Sequence, residues 1–211
     1  MVAFLIKLFL SYLLGSLNGS LVLGQIRRVD IREKGSGNAG GTNALRTQGR
    51  LFALGVILID VGKSVLAATW VAQATIFGAA AGGPSPLWVA LGCGAAAVVG
   101  HCYPLFYGFR GGKGMATLLG VYAVVAPGVL LWVALAWFAT MGFTGYVGLA
   151  TIIGAAIAPV AILATTGTGS PPLLWFGVAM AALIVFTHRE NICRMRRGEE
   201  SRFSMSWLAR R

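Results

Sequence analysis

Apolar runs long enough to cross a bilayer recur along this chain, and its polar residues gather between them. The first run covers about residues 2–24, with Lys7 near one end, and a polar, glycine-rich stretch follows at 25–49. A second run covers about 51–76, then come an uncharged turn at 78–86 and a third run at about 87–103. The segment 104–114 (PLFYGFRGGKG) is a loop that leads into another apolar run. Crossing the hydrocarbon core takes about 20 helical residues, so each run predicts a spanning helix. Lys7 can reach the interface along its own aliphatic stem. From 115 to 187 the chain is almost continuously apolar but punctuated by Pro127-Gly128, by the glycine-rich 140–148 and by the Pro/Gly/Thr stretch 165–172. A Pro-Gly pair inside a helix costs several kcal/mol, so these breaks divide the stretch into four short helices. The pattern predicts an all-α, polytopic integral membrane helix bundle, a single domain over 1–211. It has seven spans, or five if the breaks are kinks.

Composition agrees, with 57% hydrophobic and 11% charged residues. Soluble domains carry roughly 25% charged residues, so that class is excluded. The 30 glycines suit membrane helices that approach closely. The net charge of +11 becomes informative once it is located. Residues 25–50 hold six cations against Asp30 and Glu33, 101–114 adds Arg110 and Lys113, and the tail 188–211 holds seven arginines against Glu190, Glu199 and Glu200. Lysine and arginine favour cytoplasmic loops, so these segments face the cytosol, the N-terminus lies outside and the C-terminus inside. Helix-flanking charge accounts for the basic tail without any nucleic acid. Cys93, Cys102 and Cys193 have no metal-like spacing and read as small packing residues in a reducing compartment. The N-terminal run shows no cleavage site after a short core, so a signal peptide is not expected.

Three motifs could carry chemistry. Residues 35–46 place Gly35, Gly37, Gly40 and Gly41 within seven positions, so backbone N–H groups can form a nest around an anion. Ser36, Asn38, Thr42 and Asn43 add side-chain donors, and the Arg46 fork suits phosphate. The stretch matches Gly-x-Gly-x-x-Gly with Asp60 further on, but no strand precedes it, so a dinucleotide fold is rejected. The second motif is 109–117 (FRGGKGMAT), directly before an apolar helix. Gly111, Gly112 and Gly114 allow close backbone approach, the helix N-terminus favours anions, and Lys113 supplies a full positive charge. Tyr107 and Ile57 stand where Walker A glycines are required, so neither lysine motif is a P-loop. The third motif is His188-Arg-Glu-Asn191 at the cytosolic end of the last span. On a continuing helix His188 and Asn191 share a face, and Glu190 points elsewhere. His101 and His188 are the only histidines, and neither is followed by Asp at the fifth position, which removes His-x4-Asp acyltransferase chemistry. Asp60 and Lys63 are neighbours at i, i+3 inside the second span and read as a structural pair.

In this order, the three motifs resemble the bacterial acyl-phosphate:glycerol-3-phosphate acyltransferase family. Its Gly-Ser-Gly-Asn-x-Gly-Ala-Thr-Asn followed by Arg is similar to 35–46. Its Gly-His-x-Tyr-Pro and Lys-Gly-Gly-Lys-Gly-x-Ala-Thr are similar to 100–104 and 110–117, and its His-Arg-x-Asn to 188–191. The resemblance covers essentially the whole chain. It implies a seven-helix enzyme of the bacterial inner membrane that makes lysophosphatidic acid for phospholipid synthesis. It also implies Ser36, Asn38, Arg46, the loop 111–114, His188 and Asn191 as site residues, with His101 beside them and Glu190 structural. The chain departs from the family pattern at Gly41, at Asn18-Gly19 where the family has Pro-Phe, and at Gly145 and Gly148 where it has Arg and Ser.

Acyl phosphate is already activated, so the chemistry asks for charge neutralisation and aim, not for a covalent intermediate. No side-chain base stands out, and the substrate's own phosphate, with a second pKa near ~6, can accept the hydroxyl proton. No metal or cofactor is called for. The expected partners are acyl-phosphate, glycerol-3-phosphate, membrane lipid and the enzyme that forms the acyl-phosphate. The rival readings are a membrane phosphate transporter, which needs polar residues at midplane depth, and an acyltransferase weakened by its glycine departures.

Overall fold

The computed structural model describes residues 1–75, 84–167 and 169–203, and every regular element among them is helical. Most of the uncharged turn expected at 78–86 lies outside the described residues. The chain forms two compact units, one covering Met1–Val125 and the other beginning at Ala126.

In the first unit α1 (Val2–Ser16) and α2 (Gly19–Arg27) form one apolar stretch bent by 43°. The first run was expected as a single helix, and Asn18 breaks it. Asn18 takes an extended conformation, and its side chain accepts from the N–H groups of Ser20 and Leu21 as an N-cap. The break strands backbone groups where little water is available to satisfy them. Helix α4 (Arg50–Leu66) supplies the partners. Lys63 Nζ donates to the carbonyls of Gly15 (2.8 Å) and Leu17 (3.2 Å), and Asp60 Oδ1 accepts from Gly19 N–H (2.9 Å). Asp60 and Lys63 pair at 2.9 Å and are 0% and 4% exposed, so the ion pair sits in α4 as the complement of the broken helix.

Helix α5 (Pro86–Cys102) crosses α1 closely, because Gly15 and Gly100 let the backbones meet: a Cβ on either would strike a main-chain carbonyl, of Ala97 or of Tyr12. Between the spans, α3 (Gly41–Gln48) is seated by Ile31, Ala44, Phe52, Ala53 and Val56, a small apolar core beneath the polar stretch. Helix α6 (Met115–Val125) closes the unit, with Gly120 against the Val61 carbonyl of α4.

The second unit holds α7 (Pro127–Thr144), α8 (Val147–Thr166), α9 (Pro171–Thr187) and α10 (Arg189–Arg196). Pro127, the glycine-rich break and the 165–172 stretch divide 115–187 into four helices, as the sequence predicts. The buried face of α8 is lined by Ala150, Gly154, Ala155, Ala158 and Ala161, while Leu131, Phe138 and Phe143 of α7 face outward. Small residues inside and large apolar ones outside are the pattern of helices surrounded by lipid. Four helical segments are long and apolar enough to cross a membrane alone, Arg50–Val71, Pro86–Tyr107, Pro127–Thr144 and Val147–Thr166. The bent pairs α1–α2 and α9–α10 qualify as broken spans, and α6 is a shorter apolar helix.

Candidate active site

The first motif is organised by Asn43. Its buried Oδ1 accepts from Ser36 N–H (3.0 Å), and its Nδ2 lies within hydrogen-bond distance of the carbonyls of Ile31 (2.9 Å), Lys34 (2.9 Å) and Asn38 (3.1 Å). Its side chain, expected as a phosphate donor, therefore ties the loop together. Gly37 and Gly40 donate to Lys34 and Asn38 carbonyls, so these N–H groups and that of Ser36 turn inward instead of forming the expected nest. The N–H groups at the start of α3 are those of this stretch that have no intrahelical partner. Ser36, Asn38, Thr42 and Arg46 are half-buried, and Gly37 is exposed.

The second motif runs back along the end of α5, with Gly111 and Gly112 N–H donating to the carbonyls of Cys102 (3.1 Å) and His101 (3.0 Å). Helix α1 fastens the preceding turn: Tyr12 hydroxyl donates to the Tyr103 carbonyl (2.8 Å), and Ser16 Oγ accepts from Leu105 N–H (3.2 Å). Arg32 clamps the two loops. Its Nη1 donates to the carbonyls of Tyr107 (3.1 Å) and Arg110 (3.0 Å), while Nε and Nη2 grip Asp30. Those bonds hold the Asp30 carboxyl below its ordinary pKa. Half-buried Lys113 sits between buried Gly112 and Gly114, and α6 begins at Met115, so the lysine loop ends at a helix N-terminus as expected.

His101 lies beneath both loops and is 2% exposed. Its Nδ1 is 3.0 Å from Lys63 Nζ, 3.2 Å from Asp60 Oδ1 and 3.5 Å from Asn18 Nδ2, which also donates to the Ala39 carbonyl at 3.1 Å. A Cβ on Gly112 would collide with His101 Nε2 and approach the Ala39 carbonyl to 2.6 Å. Ala39 of the first motif and Gly112 of the second thus meet over one histidine. Sequence reasoning missed Asn18 and Arg32 and gave Asp60 and Lys63 no link to the motifs. An Asn-Gly-Ser in an apolar run was the available signal for the first.

In the second unit the helix does not continue through the third motif. It bends by 52° at His188, which is the C-cap of α9. His188 and Asn191 are both buried, and Glu190 is exposed. His188 Nδ1 bonds the Ile184 carbonyl at 2.8 Å. A carbonyl only accepts, so Nδ1 carries the proton, and in the neutral ring Nε2 is the lone-pair nitrogen. Buried Gly148 makes room for Asn191: a Cβ there would lie 2.8 Å from Asn191 Nδ2.

Comparison with known proteins is consistent throughout. The family model for glycerol-3-phosphate acyltransferase matches residues 5–198. The chain is similar to the glycerol-3-phosphate acyltransferases of Syntrophomonas wolfei (42% identity, covering 93% of this chain and 95% of the relative) and of Anaeromyxobacter sp. (40%, covering 90% and 92%). Among solved structures it is similar to PlsY, an integral membrane glycerol 3-phosphate acyltransferase. To the glycerol 3-phosphate form the TM-score is 0.84 at 33% identity, over 99% of both chains. To the lysophosphatidic acid form it is 0.80, over 98% of both. Apolar helices, two interlocked glycine-rich loops and these matches lead to one statement: the chain belongs to the glycerol-3-phosphate acyltransferase family of integral membrane proteins.

Proposed function

We propose that this protein transfers the acyl group of an acyl-phosphate to glycerol 3-phosphate, giving lysophosphatidic acid and inorganic phosphate for phospholipid synthesis. The observation that carries the proposal is the family match over residues 5–198, joined to the meeting of the two glycine loops over His101. The glycerol hydroxyl oxygen attacks the acyl carbonyl carbon, the bond from that carbon to the phosphate oxygen breaks, and phosphate leaves. Arg46 and Lys113 offset the negative charge of the two substrates, where it would otherwise keep them apart. Ser36, Asn38, Thr42 and the first-turn N–H groups of α3 and α6 bind phosphate oxygens, while Gly111 and Gly112 let the lysine loop pack against the end of α5. His188 and Asn191 position the acceptor. Orientation of this kind supplies several kcal/mol of the barrier.

The test is purified protein with palmitoyl-phosphate and labelled glycerol 3-phosphate, with palmitoyl-CoA as comparison donor. Labelled lysophosphatidic acid is expected from the first donor alone, and equal rates from both would remove the donor assignment. The same assay tests the proton's destination. With the substrate phosphate as acceptor, the acidic limb of kcat/KM follows its second ionisation near ~6, and a phosphonate analogue moves that limb. A limb that ignores the analogue and vanishes in His188→Gln makes His188 the base instead.

The loops 25–50 and 104–114 and the tail face the cytosol of a bacterial inner membrane, with seven spans and the N-terminus outside. Charge placement supports this. Helix α6, ~16 Å long at 1.5 Å per residue, is a shorter apolar helix, and counting it as a crossing brings the total to seven. Cysteines replacing Arg28 or Arg202 are expected to label only from the cytosolic side, and labelling from outside at either position would overturn the topology.

A further inference from the structure

The segment Glu199–Phe203, read from sequence only as part of a basic tail, folds back onto the second unit's own functional residues. We propose that Glu200 is a positioning residue for acyl transfer that fixes the sense of the Asn191 side-chain amide; this rests on the reading above that Asn191 works on the substrate. Glu200 Oε1 accepts from Asn191 Nδ2 at 2.6 Å, and its Oε2 accepts from Arg194 Nε at 2.6 Å. The Glu200 side chain is 8% exposed, a low value for a glutamate in a tail. A carboxylate has only acceptors to offer, so the end of the amide that faces it is the NH2 end, and Oδ1 points the other way. Without that carboxylate the amide can turn over, which exchanges donor for acceptor at almost unchanged shape. Arg194 holds the second oxygen and keeps the carboxylate from swinging away, and both bonds are charge-assisted. Gly148 packs against the same side chain, because a Cβ there would lie 2.8 Å from Nδ2 and 3.0 Å from Cβ and Cγ of Asn191.

The segment is itself fastened. Phe203 N–H donates to the Gly145 carbonyl at 2.8 Å, and the Arg202 guanidinium lies 5.1 Å from the centre of the Tyr146 ring. The segment is thereby tied to the α7–α8 connection through Phe203 and Arg202 and to Asn191 through Glu200.

The experiment uses full-length protein in nanodiscs, palmitoyl-phosphate and labelled glycerol 3-phosphate. Glu200→Ala is expected to lower kcat/KM at least tenfold in folded protein. Glu200→Gln, whose side-chain carbonyl still accepts from Asn191, is expected to recover at least fivefold of that loss. The decisive arm reverses the polarity of the bond. Asn191→Asp alone sets two carboxylates against each other and falls at least tenfold below wild type. Adding Glu200→Gln gives the new carboxylate a donor and returns at least fivefold. A double variant no better than Asn191→Asp, or a loss confined to melting temperature with kcat/KM unchanged, overturns the proposal. If Glu200→Ala does not fold, the Asn191→Asp pair decides alone. Wild-type activity in Asn191→Ala removes the underlying reading of Asn191. A crippled Asn191→Ala without rescue in the swapped pair overturns only the role of Glu200.

Discussion

Lys63→Met is expected to lower the stability of the folded protein by about 3–5 kcal/mol, the loss that follows when one member of a buried ion pair is removed and the other stays. The geometry makes this more than a pairwise effect. Lys63 Nζ also serves the carbonyls of Gly15 and Leu17, which the break at Asn18 leaves without helical partners. Each buried carbonyl left unpaired costs about 1–3 kcal/mol. An Asp60→Leu/Lys63→Met double variant separates the two contributions. Replacing a buried ion pair by apolar residues is often neutral or stabilising. Here the double variant is expected to stay well below wild type, because the two carbonyls and the Gly19 N–H remain stranded. Thermal unfolding in detergent measures both variants. A double variant as stable as wild type would mean that α4 carries the pair for its own sake, and a Lys63→Met protein melting within a degree or two of wild type would remove the argument altogether.

The same contacts show where the sequence was legible. Turn residues marked the breaks inside 115–187 because Pro127 and the glycine clusters act locally, and the structure cuts the helices there. Asn18 acts locally too, as an N-cap, but it sits within an apolar run whose hydropathy hides it. The Asp60–Lys63 pair was visible as a costly feature, whereas its partners lie about 45 residues earlier in the chain, at Gly15, Leu17 and Gly19, and about 40 residues later at His101. Periodicity carries no information about such distances. Asn43 was counted among the phosphate donors by residue type, and its amide turns out to hold the loop's own carbonyls. Glycine content likewise promised a nest, while the N–H groups of Gly37 and Gly40 close the loop on itself. Residue type identified the motifs. Which atoms of a motif face a ligand depends on bonds that only the fold reveals.

Arg46→Ala and Lys113→Ala are each expected to cut kcat/KM at least tenfold, with membrane insertion and melting temperature preserved. On the proposed reading each substitution removes a charge-assisted hydrogen bond to phosphate, about 1.5–3 kcal/mol, which is roughly ten- to more than a hundredfold in rate. Both residues are half-buried on elements built for other reasons: Arg46 in the last turn of α3, Lys113 between two buried glycines before α6. The conservative variants divide the roles. A guanidinium offers a planar fork and an ammonium a compact point charge, so Arg46→Lys is expected to lose most of the benefit if the fork grips phosphate with two bonds. Lys113→Arg faces a different obstacle, since Gly112 beside it holds the loop close to His101 and the Ala39 carbonyl. Inorganic phosphate supplies a second readout: as the proposed product it is expected to inhibit, with an inhibition constant that rises at least tenfold in both alanine variants. Near-normal turnover in folded Arg46→Ala or Lys113→Ala, with phosphate inhibition unchanged, would take the phosphate-binding role away from that residue and leave it a surface cation at the membrane interface.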